Sequence, residues 1–254
     1  MCSCGRDLSG GEGPGFPQGP PDDDLFLGAV KIAEAQTMHD TAETQAGDKR
    51  RPDGYPGLFV VIEGIDGTGK STLASNIYQE LRNRDINTLL TFEPTKGQWG
   101  KRLRQSFSSK RLPQDEELAL FMKDRREHLK DVIIPALKDG RVVLCDRYYY
   151  STAAYQGARG MDPEQIMEKN RAFALEPDLV LLLELAPEKA VERIRQGRQG
   201  TNSFEGLDYL KQVAAIYDRM KGANIVRLDA SKPAHLVARE AVAYILERLK
   251  SKGS

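Results

Sequence analysis

Apolar residues in this chain fall into short continuous runs that alternate with stretches of helical spacing. Leu58-Phe59-Val60-Val61-Ile62 is an unbroken apolar run of strand length, the pattern of a strand buried on both faces. From Lys70 the pattern changes, with Leu73, Ile77 and Leu81 four residues apart along one face of a helix. Thr88 to Phe92 predicts a second strand, ended by Glu93-Pro94. Residues 116–137 predict one long helix, with Leu118, Phe121, Met122, Leu129 and Ile133 along it. Val142 to Cys145 is a third strand running into Asp146, Leu179 to Leu185 a fourth, and Ile225 to Leu228 a fifth. Helices over 188–195, 207–221 and 233–250 fill the remaining intervals. Alternating strands and helices predict an α/β fold, a parallel sheet with helices on both faces.

Residues 1–54 have a different composition. They are rich in Gly, Pro, Asp and Ser, and too poor in apolar residues to offset the entropy of ordering. We read them as a disordered N-terminal extension, with Leu25 to Ala35 as a transient helix at most, and residues 55–254 as the folded domain. The domain is long enough to bury a substantial core. Lys and Arg balance Asp and Glu at 37 each, so net charge points to no nucleic-acid or anionic-membrane partner. Three cysteines make no disulfide framework, and Cys145 lies in an apolar strand as a small hydrophobe. No apolar run is long enough to span a bilayer. The expectation is a soluble cytoplasmic protein.

The chemistry concentrates where strands end, which is where parallel sheets bind ligands. Residues 64–71 read Gly-Ile-Asp-Gly-Thr-Gly-Lys-Ser, a complete G-x-x-x-x-G-K-S/T phosphate loop. It follows a predicted strand and opens a predicted helix, the context in which backbone N–H groups and a helix N-terminus cradle phosphate. Gly64, Ile65, Asp66, Gly67, Thr68, Gly69, Lys70, Ser71 and Thr72 are therefore the candidate nucleotide-binding residues. Lys70 is placed to reach the β- and γ-phosphates, and Ser71 to bind magnesium. Asp146 closes an apolar strand like a Walker B carboxylate and is the second candidate magnesium ligand. Arg147 beside it suits phosphate binding, although a strand-end ion pair explains the same two residues. No Asn-Lys-x-Asp guanine-reading motif is present, which disfavours a GTPase switch.

Taken in order, the stretch 59–72, Glu93-Pro94, Leu120-Phe121-x-x-x-Arg125, Asp146-Arg147-Tyr148 and Ser151-Thr152-Ala153-Ala154-Tyr155-Gln156-Gly157 resemble the bacterial thymidylate kinases. The resemblance covers about residues 57–250. It implies a P-loop nucleoside-monophosphate-kinase fold with a five-stranded parallel sheet and a mobile lid, usually a homodimer. The implied reaction converts dTMP and ATP to dTDP and ADP, with magnesium.

Carried over by position, the resemblance implies that Phe121 stacks on thymine and that Arg125, four residues on, bonds its carbonyl edge. It places Glu93 and Arg104 in the acceptor site, and Arg147 between acceptor and donor phosphates. Asp66 would contact the sugar 3′-hydroxyl and Thr152 the base. The Tyr155 ring would crowd the 2′-carbon, and Glu205 would reach toward the acceptor. Asp229-Ala230-Ser231 resembles the loop lying against adenine. Residues 192–200 resemble the lid. Gly67 stands where some members carry a loop arginine, which implies a stabilising charge from Arg195 or Arg198 in the lid. Where such members show Asp-Arg, this chain has Asn202-Ser203. Two other functions fit the residues: a kinase for another nucleotide or nucleoside such as dUMP, and a non-catalytic nucleotide-binding module.

Overall fold

The computed structural model describes residues 54–109, 111–197 and 203–252. Five parallel strands form one sheet in the order β2-β3-β1-β4-β5. They are β1 (Leu58–Gly64), β2 (Thr88–Phe92), β3 (Val142–Asp146), β4 (Leu179–Glu184) and β5 (Ile225–Asp229). The helices are α1 (Lys70–Arg82), α2 (Gln98–Ser108), α3 (Gln114–His128), α4 (Ile134–Lys138), α5 (Tyr149–Gly157), α6 (Pro163–Arg171), α7 (Pro187–Gly197), α8 (Ser203–Arg219) and α9 (Ala234–Lys252).

The period of two along β1 divides the core. Phe59 and Val61 face one layer with α3, α4, α5, α6 and α8, while Leu58, Val60 and Ile62 face the other, with α1 and α9. All five side chains are fully buried, which is why this strand carries an unbroken apolar run. Each such burial stabilises the fold by roughly 1.5–3 kcal/mol.

The strand expectations hold to within two residues: β1 runs on through Glu63 to Gly64, β3 includes Asp146, β4 ends at Glu184 and β5 reaches Asp229. The helix expected over 116–137 is instead α3 and α4 joined by a π turn, Leu129–Ile133. Pro135 lacks the N–H that an α-helix would use at that point, and its ring crowds the carbonyl four residues back. The wider π register accommodates it. Helices α2, α5 and α6 were not expected. All but the last residue of the extension expected at 1–54 lie outside the described residues.

This topology brings the carboxyl ends of β1, β2 and β3 side by side. Ile62 pairs with Asp146, and Phe92 pairs with Asp146 from the other side. The phosphate loop, Glu93 and Asp146-Arg147 therefore meet at one edge.

Candidate active site

The loop after β1 turns on glycines with positive φ. Gly67 has φ 84°, and a β-carbon there would stand 2.4 Å from the Ala190 carbonyl oxygen of α7. Gly69, also left-handed, is the N-cap of α1. The Lys70 side chain folds back over the loop and donates to the Ile65 carbonyl at 2.9 Å. Thr68 Oγ1 donates to the same carbonyl at 2.8 Å. Thr72 sits exposed in the first turn of α1. Burial and the nearby Arg147 charge pull the Lys70 ammonium down to about 8, against Asp66, Asp146 and Glu63.

Ser71 Oγ donates to Asp146 Oδ2 at 2.6 Å. Asp146 is 4% exposed, and its other oxygen, Oδ1, is buried without a hydrogen-bond partner. An orphaned buried carboxylate oxygen is costly in itself. Beside a hydroxyl and a phosphate loop, it suits a hard divalent cation that takes one or two protein oxygens and completes its shell with phosphates and water. Among the described residues no group of three or more His, Cys, Asp or Glu forms a separate metal cage.

Arg147 follows directly, with φ 68°, in the left-handed region that non-glycine residues seldom occupy. Its guanidinium pairs with Asp66 of the phosphate loop and lies 5.3 Å from the Tyr155 ring centre. It also reaches Ser151 Oγ at 3.4 Å. Burial opposes ionisation of Asp66, but Arg147 and Lys70 outweigh it and hold the carboxyl down at about 2. The site therefore presents two cations, Lys70 and Arg147, and two carboxylates, Asp66 and Asp146, arranged around a loop of backbone donors.

A second cluster lies behind it. Arg125 on α3 is completely buried and donates to Glu93 Oε2 through Nε (2.9 Å) and Nη2 (2.6 Å). It also donates to Asn170 Oδ1 at 2.5 Å and Thr152 Oγ1 at 3.1 Å, and packs 4.9 Å from the Tyr148 ring centre. Glu93 Oε1 lies 3.1 Å from His128 Nδ1, and His128 Nε2 lies 2.7 Å from Thr91 Oγ1. With a carboxylate as acceptor, Nδ1 carries the proton and Nε2 accepts from Thr91. One turn before Arg125 on α3, the half-buried Phe121 ring lies 6.3 Å from Phe107, centre to centre. Arg104 donates to the Pro94 carbonyl at 2.7 Å.

A sequence model of the family described as thymidylate kinase matches residues 62–241 of this chain. The thymidylate kinase of Brachyspira hyodysenteriae is 42% identical over 191 residues, covering 75% of this chain and 94% of that protein. That of Desulfotalea psychrophila is 40% identical over 197 residues, covering 77% and 97%. That of Akkermansia muciniphila is 45% identical over 175 residues, covering 68% and 84%. The chain belongs to the thymidylate kinase family.

Read as a thymidylate kinase, the fold brings most of the expected residues to one cleft: Asp66, Lys70, Ser71, Asp146, Arg147 and Tyr155 at the front, with Glu93, Arg125 and Thr152 behind. Arg125 stands deeper than a simple base contact requires, since four of its five N–H groups are already taken by protein. In the lid stretch, Arg195 is exposed on α7. Its neighbour Arg193 instead donates to the Ala230 carbonyl at 3.0 Å, holding the loop at 229–231. Arg198 lies outside the described residues, as does the Glu205 side chain.

Sequence reasoning missed Glu63, Asn170, His128, Glu117 and Tyr217, all of them fully or nearly fully buried. Glu63 did leave a signal, a carboxylate at the end of an otherwise apolar strand. Each of the others makes at least one bond across 35–154 residues of sequence, which no local pattern records.

Proposed function

We propose that this chain transfers the γ-phosphoryl group of ATP to the 5′-phosphate of dTMP, giving ADP and dTDP. The observation that carries this reading is the juxtaposition of Lys70, Ser71, Asp146 and Arg147 around a glycine loop, in a chain of the thymidylate kinase family. An acceptor phosphate oxygen forms the new bond to the γ-phosphorus as the bond to the β–γ bridging oxygen breaks. The acceptor is already anionic, so no strong base is needed. Catalysis is then alignment and charge neutralisation.

Lys70 steadies the β- and γ-phosphate oxygens, and Arg147 spans donor and acceptor. Asp66 fixes Arg147 on its loop side and faces the sugar. Magnesium, held by Ser71 and Asp146, would neutralise phosphate charge. Phe121 stacks against the base, while Arg104, Glu93, Arg125 and Thr152 complete the acceptor pocket. Tyr155 restricts the 2′ position. Arg195, Arg198 and Glu205 act from the lid side. We also propose a cytoplasmic homodimer, as the family resemblance implies. Among the described residues no helix is long and apolar enough to cross a membrane.

ADP release measured with dTMP, dUMP, dGMP and thymidine as acceptors tests the reading. The expected result is fastest turnover with dTMP and none with thymidine, which lacks the acceptor phosphate. Turnover fastest with dGMP or thymidine would overturn it.

A further inference from the structure

Glu63 stands one residue before the phosphate loop at the end of β1 and has no exposed surface. A buried carboxylate is costly unless its oxygens are satisfied. Here they are. Oε1 accepts the Tyr148 N–H at 2.7 Å and the Ser151 N–H at 3.2 Å. Oε2 accepts from Ser151 Oγ at 2.5 Å and Tyr217 Oη at 2.8 Å. The two hydroxyl oxygens are themselves 2.9 Å apart, closing a triangle.

These N–H groups belong to the N-terminus of α5. Tyr148 is its N-cap and provides no side-chain cap, so the orphan donors of the first turn are met by a carboxylate 85 residues upstream. The residue just before that N-cap is Arg147, in its left-handed backbone conformation. Ser151 Oγ, which bonds Glu63, is also the oxygen that Arg147 Nη1 approaches. Glu63 therefore grips the turn bearing Arg147 through both the backbone and Ser151. Tyr217 extends the grip to α8.

We propose that Glu63 and Tyr217 are a positioning pair for phosphoryl transfer, fixing Arg147 between the phosphate loop and the acceptor helix α5. The pair touches no reacting atom and acts through Arg147. This inference rests on the kinase reading above and adds residues to it. A displacement near 1 Å of a reacting group costs about 10²-fold in rate, so the pair's worth appears in turnover.

The test is dTMP-dependent ADP release by the full chain, with melting temperature measured alongside. Tyr217→Phe removes one hydroxyl and is expected to lower kcat about tenfold, and Glu63→Gln about 10²-fold. KM for ATP should stay within about twofold in both. If Glu63 acts through Arg147, Glu63→Gln in an Arg147→Ala background lowers kcat by less than about threefold further. Should Glu63→Gln fail to fold, Tyr217→Phe with and without Arg147→Ala completes the same cycle. A loss of melting temperature with wild-type kcat, or losses that multiply in the double variant, would overturn the proposal. A wild-type chain inactive on dTMP would instead overturn the kinase reading.

Discussion

The front and the back of the cleft each hold an arginine against a carboxylate, in opposite manners. At the back, Arg125 is sealed: it has no exposed surface, four of its N–H groups are bonded, and Glu93 compensates its charge. At the front, Arg147 keeps 15% of its side chain exposed, and its partner Asp66 keeps 37%. Asp66, Ser151 and the Tyr155 ring leave Arg147 with at least two N–H groups uncommitted. A saturated, desolvated cation is structure, because moving it exposes an unpaired charge. An unsaturated cation beside a phosphate loop is free to meet a developing charge. Removing charge at the front should therefore cost turnover, and removing it at the back should cost stability.

Lys70→Ala sharpens the front half of the contrast and carries the largest expected effect. Turnover should fall about 10²–10³-fold, because a cation aimed at the transferring group is lost. The melting temperature should move little, since relieving a buried, depressed ammonium offsets the lost bond to Ile65. A near-normal rate would break the assignment.

Arg125→Ala probes the back. Glu93 would be left buried without its partner, a change that typically costs about 3–5 kcal/mol. In a domain of this size that lowers the melting temperature by about 10 °C. Thermal denaturation of the folded variant checks it, and an unchanged midpoint would erase the distinction between the two arginines.

The division between front and back was only partly legible in the chain itself. Local signals were strong for β1, whose five apolar residues are buried on both faces, and for the glycine loop that follows. Helix α5 left no periodicity because almost every residue in it is buried, so no polar face interrupts the pattern. Helix α6 was missed although it carries a local signal: Asp162 caps it, accepting from Glu164 and Gln165, and Pro163 follows. The front-site residues were found because they lie inside motifs. What escaped was the supporting layer, where Glu63 meets Tyr217 and Arg125 meets Asn170 only once the chain has folded. Such pairs are set by topology.

A third probe examines the sealed side at another point. Glu117 on α3 has no exposed surface and accepts from Arg111 at 2.9 Å and Arg159 at 2.5 Å. Burial alone would raise its pKa, but the two guanidinium groups hold it below its ordinary value of 4.5. A carboxyl with a depressed folded pKa contributes stability above its unfolded value and loses it as pH falls through the folded one. Glu117→Gln keeps an acceptor oxygen but loses the charge-assisted bonds, and should therefore cost about 1.5–3 kcal/mol near neutral pH. The gap from wild type should close as pH drops below 4.5. Paired melting curves across pH decide it, and a gap that stays constant would show that the charge contributes nothing.

The smallest effect is expected at the border between the regions. Tyr155 lies against Arg147 on one side and against the Tyr209 ring, 6.2 Å away, on the other. Tyr155→Ala should raise activity on the ribonucleotide relative to dTMP by about tenfold, the scale set by a small change in pocket volume. No change in that ratio would make the ring a packing element.

Arg147, on the proposed function, acts in the chemical step itself. Rapid-quench measurement of a single turnover, with both nucleotides saturating, isolates that step from binding. For Arg147→Ala the phosphoryl-transfer rate should fall about 10²–10³-fold, with ATP affinity retained within a few fold. Transfer at the wild-type rate, with only weaker nucleotide binding, would contradict that role.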